Sequence, residues 1–187
     1  RILLIAVSNR QSHRLERLNY FELFEMNRID LLISIDDTDN LESEGSGTIA
    51  ENMARTLQGA GLAQCKKISR HQLLVHEDIP YTSGNSAMCF SALSHLENLD
   101  ELIHIAQKFL REESADGADP GLCVAVNDAR LDKDALIAFG RTAKKTIVKK
   151  QTAYDLAGNL SIHLSEHGGT GGGAIGALAA IRLRLGG

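Results

Sequence analysis

The apolar run IDLLISI, ending at Ile35, drives without a break into Asp36, Asp37, Thr38 and Asp39, with Glu42 and Glu44 close behind. Ile29–Ile35 reads as a buried strand, because a short run of Ile and Leu bounded by polar residues suits a sheet covered on its faces. A cluster of carboxylates at the mouth of such a strand is costly. Like charges this close repel, so the cluster lowers stability unless a cation or a hydrogen-bond network balances it. The stretch therefore predicts a bound group.

Strands and helices alternate along the rest of the chain. From Gly47 to Gly61, Ile49, Met53 and Leu57 recur at helical spacing beside Ala50 and Ala54, and glycines close the segment. Cys65–Val75 and Ala87–Leu93 read as strands on either side of the turn-rich HEDIPYTSGNS. Asn98–Glu113 is a helix carrying Leu99, Leu102, Ile103, Ala106 and Leu110 on one face. DGADPG breaks it, and LCVAV follows as a short buried strand. Leu131–Val148 reads as one further helix, Leu160–Leu164 as a last strand, and AIGALAAIRLRL as a closing helix of small residues after HGGTGGG. The pattern gives an α/β or α+β fold, a mixed β-sheet with flanking helices, built as one unit or as two small intertwined lobes. Residues 26–187 read as that single unit, and residues 1–25 as an upstream extension with a short strand and a helix, since Met26 stands just before the first well-patterned strand.

Composition excludes several classes. Of the 187 residues 43% are hydrophobic, enough for a core, and with no Trp that core is built from Leu, Ile, Val and Ala. A net charge of −4 gives no general basic field for nucleic acid. The basic pairs Lys144–Lys145 and Lys149–Lys150 read as the wet face of a helix. Cys65, Cys89 and Cys123 are odd in number and widely spaced, which fits reduced core thiols in a cytoplasmic protein and neither a disulfide framework nor a zinc knuckle. No apolar run approaches the roughly 20 residues that span a bilayer.

Three stretches could carry chemistry. Aspartates at the carboxyl end of a strand sit where open α/β sheets place ligands, and hard oxygen donors suit Mg²⁺ shared with phosphates. Asp36, Asp37 and Asp39 are the candidate metal ligands, although one of them would suffice to cap a turn. The GSGT that follows opens a helix, so Gly47 would offer a backbone N–H to a phosphate, and Thr48 would lie one turn into that site. HGGTGGGAIG places Gly168, Gly169, Gly171 and Gly172 before a helix N-terminus. That is a plausible phosphate cradle, with close backbone packing as the competing explanation. It contains G-x-G-x-x-G, but the Rossmann pattern also needs an acid about 20 residues further on, and no Walker lysine is present. HLSEH, His163–His167, matches a helical zinc pattern by letter, yet it continues a strand and so lacks the geometry.

Taken in order, IDDTDN…GSGT, IPYTSGNSA, GADPGL and HGGTGGGAIGALAAI resemble the catalytic portion of tRNA(Ile) 2-agmatinylcytidine synthetase. The resemblance implies a kinase-like core, partnered by a ferredoxin-like one, that binds Mg²⁺ and ATP. Such a core phosphorylates an oxygen of a cytosine, and an amine then displaces the phosphate. By that resemblance Asp36, Asp37 and Asp39 match the family's aspartates, and Thr48 the threonine that becomes phosphorylated. Gly84 and Asn85 match its R-G-N loop. The departures are specific. G-S-G-T-I lacks the family's Cys and second Thr, T-S-G-N lacks its Lys and Arg, and the chain has no room for the tRNA-holding OB-fold and zinc ribbon. The expectation is a stand-alone core, alone or as a homo-oligomer, that transfers phosphoryl groups to an oxygen of a nucleobase or small metabolite. RNA would be a partner only where another protein supplies binding modules. The rival from another class is a nucleotide-binding sensor or subunit without turnover.

Overall fold

A computed structural model describes residues 27–79 and 85–185. The expectations for residues 1–25 and for Gly84 lie outside the described residues. One antiparallel sheet organises the rest. Its central strand β1, Arg28–Asp36, pairs with β4, Ser86–His95, on one side and with β5, Gly121–Val126, on the other. β2, Ala63–Cys65, and β3, Ser69–Gln72, both pair with β4, and β6, His163–Glu166, closes the opposite edge against β5. The α/β class with flanking helices is as the sequence implied.

Side chains alternate across a strand, so β1 serves two cores. Leu31, Ile33 and Ile35 face α1, Ser46–Gly59, and α2, Leu99–Glu113, together with Phe90, Leu122 and Val124. Leu32 belongs to the second core with Cys89, Cys123 and Ala125, beneath α5, Gly173–Leu185. The next residues on that face of β1 are Ser34 and Asp36. The Ser34 hydroxyl donates to the Ala177 carbonyl of α5, which satisfies one buried polar group. Asp36 therefore points at the first turn of α5. Parity alone puts it there.

α1 is buried through Ile49, Ala50, Met53, Ala54 and Leu57, at the spacing of one helical face. α2 does the same with Leu102, Ala106 and Leu110, and carries Asp100 and Glu101 in its first turn and Arg111 in its last, as the helix dipole favours. α5 is different: Ala174, Ala177, Leu178, Ala179, Ala180 and Ile181 are all fully buried. It lies between the sheet and two outer helices, α3, Lys133–Ala143, and α4, Lys150–Asn159. Small side chains let three layers approach around it.

Two elements differ from the expected pattern. The single helix over Leu131–Val148 ends at Ala143, after an Asp132 cap that accepts from the Ala135 N–H, and a separate helix runs from Lys150 to Asn159. The basic pairs are not one wet face: Lys144 caps the end of α3, and Lys149 caps the start of α4. Thr146, Ile147 and Val148 are β-branched residues that lose side-chain freedom in a helix, and they form the joint. The strand expected over Cys65–Val75 is two short pieces, β2 and β3.

Candidate active site

The ends of β1 and α5 meet closely enough to exclude a side chain. A Cβ on Gly176 would collide with the Asp36 carboxylate and with Leu73, and one on Gly173 would meet the carbonyl of Asp119. Asp36, 7% exposed, is thereby sealed against the helix. Asp37 then turns the chain with φ of 53°, a left-handed conformation that Asp tolerates better than most residues. After the turn, the buried Thr38 donates its hydroxyl to Ser46 at 3.0 Å, and Ser46 donates to Asp39 Oδ1 at 3.0 Å. The Ala115 N–H on the Thr38 carbonyl and the Asn40 amide on the Asp116 carbonyl tie the acidic loop to the 115–119 loop.

These residues line part of a cleft of about 220 Å³. Asp36, Asp37, Asp39 and Ser46 face Asp119, Thr170, Gly172 and Gly173 there. Leu73, Ile79, Ala143, Ile147, Val148 and Ile175 supply its apolar lining, and Asp78, Asn85 and Ser86 further polar lining. The Asn85 amide donates to the Leu74 carbonyl at 2.7 Å, which ties Asn85 to the segment that follows β3. The glycine loop, the acidic loop and residues Asp78, Ile79 and Asn85 thus share one cleft. No Lys, Arg or His is among the described residues lining it.

The electrostatics follow from that lining. Burial first, and then the neighbouring Asp37, push the Asp36 carboxyl up to about 8, so at neutral pH it is largely protonated. Burial, Asp119 and Asp39 raise Asp37 to about 6. Asp36 makes stability depend on pH in a definite sense. The folded protein keeps a proton up to about 8 that the unfolded chain releases near 3.8, so stability falls as pH rises through that window. Thermal melts across the window should show Tm falling with pH, and Asp36→Asn should flatten the slope. An unchanged slope in that variant would mean that another group carries the dependence.

Of the residues that sequence pointed to, Asp36, Asp37, Asp39, Asn85 and Gly172 line the cleft. Gly168, Gly169 and Gly171 shape the same loop without lining it, and Gly47 and Thr48 stand outside the lining, Thr48 exposed on α1. The helix-opening residue that enters is Ser46. Sequence reasoning also passed over Asp119 within DGADPG. Its signal was an Asp before Pro, in a polar loop leading into a buried strand.

Among the described residues, no group of three or more His, Cys, Asp or Glu converges to hold a metal ion. Mg²⁺ does not require one, since it takes one or two carboxylates and completes its shell with water and phosphate. Asp37 and Asp39 suit that role, and Asp36 would join on losing its proton. HLSEH lies on β6 and its end, where Ser165 sits within 3.0 Å of His163 and 2.9 Å of His167, so the helical zinc geometry is absent.

No protein-family model and no curated protein sequence matches the chain. Solved structures do. In the complex of TiaS with tRNA(Ile2) and ATP, 82% of this chain matches 36% of that chain, with a TM-score of 0.68 and 23% identity. This chain shares its fold with part of TiaS. Apo TiaS, the tRNAIle2 agmatidine synthetase, matches 82% of the chain with 35% of its own, at a TM-score of 0.66 and 22% identity. A tRNA fluorescent labelling enzyme gives 0.68 and 24% over the same 82% of this chain and 36% of its own. The chain spans about a third of the length of these proteins. The resemblance read from four motifs therefore holds at the level of fold. Cys89 and Cys123 are buried free thiols, Cys65 is a half-buried one, and among the described residues no helix is long and apolar enough to cross a membrane.

Proposed function

We propose that the cleft binds Mg²⁺ and ATP and transfers a phosphoryl group to an oxygen of a nucleobase or small metabolite. The observation that carries this is the mixed lining of the cleft: Asp36 and Asp37, both with raised pKa values, share it with Asp39, Asp119 and a set of apolar side chains. A triphosphate cannot approach the aspartates without a cation, and a cation alone leaves the apolar lining unused. A metal–nucleotide uses both, with the base against Ile79, Ile147 and Val148 and the phosphates toward Asp37 and Asp39. When bound, magnesium would supply charge neutralisation on the transferring group. Asp37 and Asp39 would hold it, and the Ser46 hydroxyl, already donating to Asp39, orients that carboxylate. The fold shared with TiaS, whose structures include an ATP complex, supports the choice of nucleotide. RNA would be an acceptor only with a partner that supplies binding modules, and the buried thiols suit a cytoplasmic setting.

A nucleotide sensor without turnover is the second reading, favoured by the absence of a Lys or Arg among the described residues lining the cleft. Such cations stabilise a transferring phosphoryl group. Thermal melts test what both share. Mg²⁺ with ATP at about a hundredfold excess over Kd should stabilise the fold by about 2.7 kcal/mol, or roughly 5–10 °C in Tm. ATP with EDTA should do nothing, because without the metal the aspartates repel it. Equal melts with and without Mg-ATP would reject both readings. Intact mass after incubation with Mg-ATP separates them, and peptide mapping would show whether any phosphate lies on Thr48 or on Ser46.

A further inference from the structure

The hydrogen bonds of the glycine loop raise a question that the proposed function leaves open. Asp119 Oδ2 accepts from the Thr170 N–H at 3.0 Å, the Thr170 hydroxyl at 2.6 Å and the Gly172 N–H at 2.8 Å, and Oδ1 accepts from the Gly171 N–H at 2.7 Å. An ionised carboxylate has about four acceptor sites. All are engaged. The same hydrogen bonds hold the Asp119 carboxyl below its ordinary range, against the effect of burial.

Successive backbone N–H groups curled around one anion form a nest, and positive φ at Gly169 (56°) and Gly171 (81°) gives this loop that curl. The loop is also held from outside. Lys150 Nζ donates to the Thr170 carbonyl at 2.7 Å and to Glu166 at 2.8 Å, and a Cβ on Gly171 would collide with the Glu166 carboxylate. The backbone of Asp119 is fixed as well, since its carbonyl lies where a Gly173 Cβ would be.

We propose that Asp119 is a positioning residue, the built-in anion of the glycine loop. It fills the nest that an incoming phosphate would otherwise take, and it keeps its charge in the cleft. The consequence for the site rests on the nucleotide reading: phosphates are then held through Asp37, Asp39 and their cation, and the N–H groups of Thr170, Gly171 and Gly172 are not their cradle.

The test reads the loop directly. In the wild-type protein, the amides of Thr170, Gly171 and Gly172 should be protected from hydrogen exchange, and their NMR shifts should stay unchanged on adding inorganic phosphate. Asp119→Ala should speed their exchange about 10- to 100-fold, the scale of losing hydrogen bonds to a charged acceptor. Millimolar formate or phosphate, occupying the vacated nest, should restore protection in the variant and do nothing to the wild type. Rescue by a small anion is a result that a merely structural residue would not give. Free exchange of these amides in the wild type would overturn the proposal, as would phosphate shifting them with Asp119 present. If Asp119→Ala fails to fold, those two wild-type measurements decide. None of these steps uses ATP, so a protein that ignores Mg-ATP would reject the proposed function and leave this inference standing on its own result. Conversely, wild-type loop amides that lose protection when Mg-ATP binds would reject the anchor while upholding the nucleotide site.

Discussion

Asp37→Asn is expected to leave the fold intact and to remove Mg-ATP-dependent phosphoryl transfer. Asn keeps the volume of Asp and, of the common residues, is among the most tolerant of the positive φ that position 37 requires. It also removes a charge that Asp119 and Asp39 oppose, since both raise the Asp37 pKa. The melting temperature of the variant without ligand should therefore match the wild type or exceed it slightly above pH 6, where the native carboxylate is ionised. Transfer should fall by about 10²–10³-fold, the scale on which removing one electrostatic partner of a transition state is felt. The Mg-ATP thermal shift should shrink as well. A variant that keeps the full shift and full turnover would remove Asp37 from the site and with it the proposed path of the metal. A wild type that shows the shift, loses it in Asp37→Asn and never turns over would be the sensor.

The parts of this site that were legible in the sequence are those fixed by local pattern. Ile29–Ile35 reads as a strand, the buried part of β1 is Leu31–Asp36, and the period of two then sends Asp36 to the α5 face. What could not be read was the partnering of loops distant in the chain. Asp119 and Thr170 stand 51 positions apart, and nothing local to either says that one carboxylate occupies the other's amides. The glycines of HGGTGGG announced a loop that could cradle an anion, and a curl of that kind is present. The anion inside it is a side chain of the protein itself. Ser46 was missed for a related reason: in GSGT the hydroxyl two residues further on fits the family pattern, but the first turn of α1 turns Ser46 inward and leaves Thr48 exposed. The break between α3 and α4 was obscured because apolar spacing carries through Ile147 and Val148. Those side chains belong to the wall of the cleft.

Gly121→Ala should be the more damaging change to stability, although its backbone conformation asks nothing special of glycine. Gly121 opens β5, where it pairs with Asp36 on one side and with Glu166 on the other. An added Cβ would run into the backbone of Gly173 and Ala174 at the start of α5. Backbone atoms cannot rotate aside as a side-chain end can, so either α5 lifts or the β1–β5 ladder opens. Overpacking of this kind costs about 3 kcal/mol, or roughly 6–12 °C in Tm for a chain of this size. The damage should reach the cleft, because the first turn of α5 carries Gly173 and Gly176, the residues that let the helix close on Asp119 and Asp36. Gly158→Ala is the matched control. Gly158 is exposed in the last turn of α4, with nothing within 4 Å of an added Cβ. That substitution should raise stability by about 0.5–1 kcal/mol, because Ala suits a helix better than glycine does. Equal melting temperatures for Gly121→Ala and wild type would show that α5 and β5 have room between them. The tight crossing that seals Asp36 would then have to be abandoned.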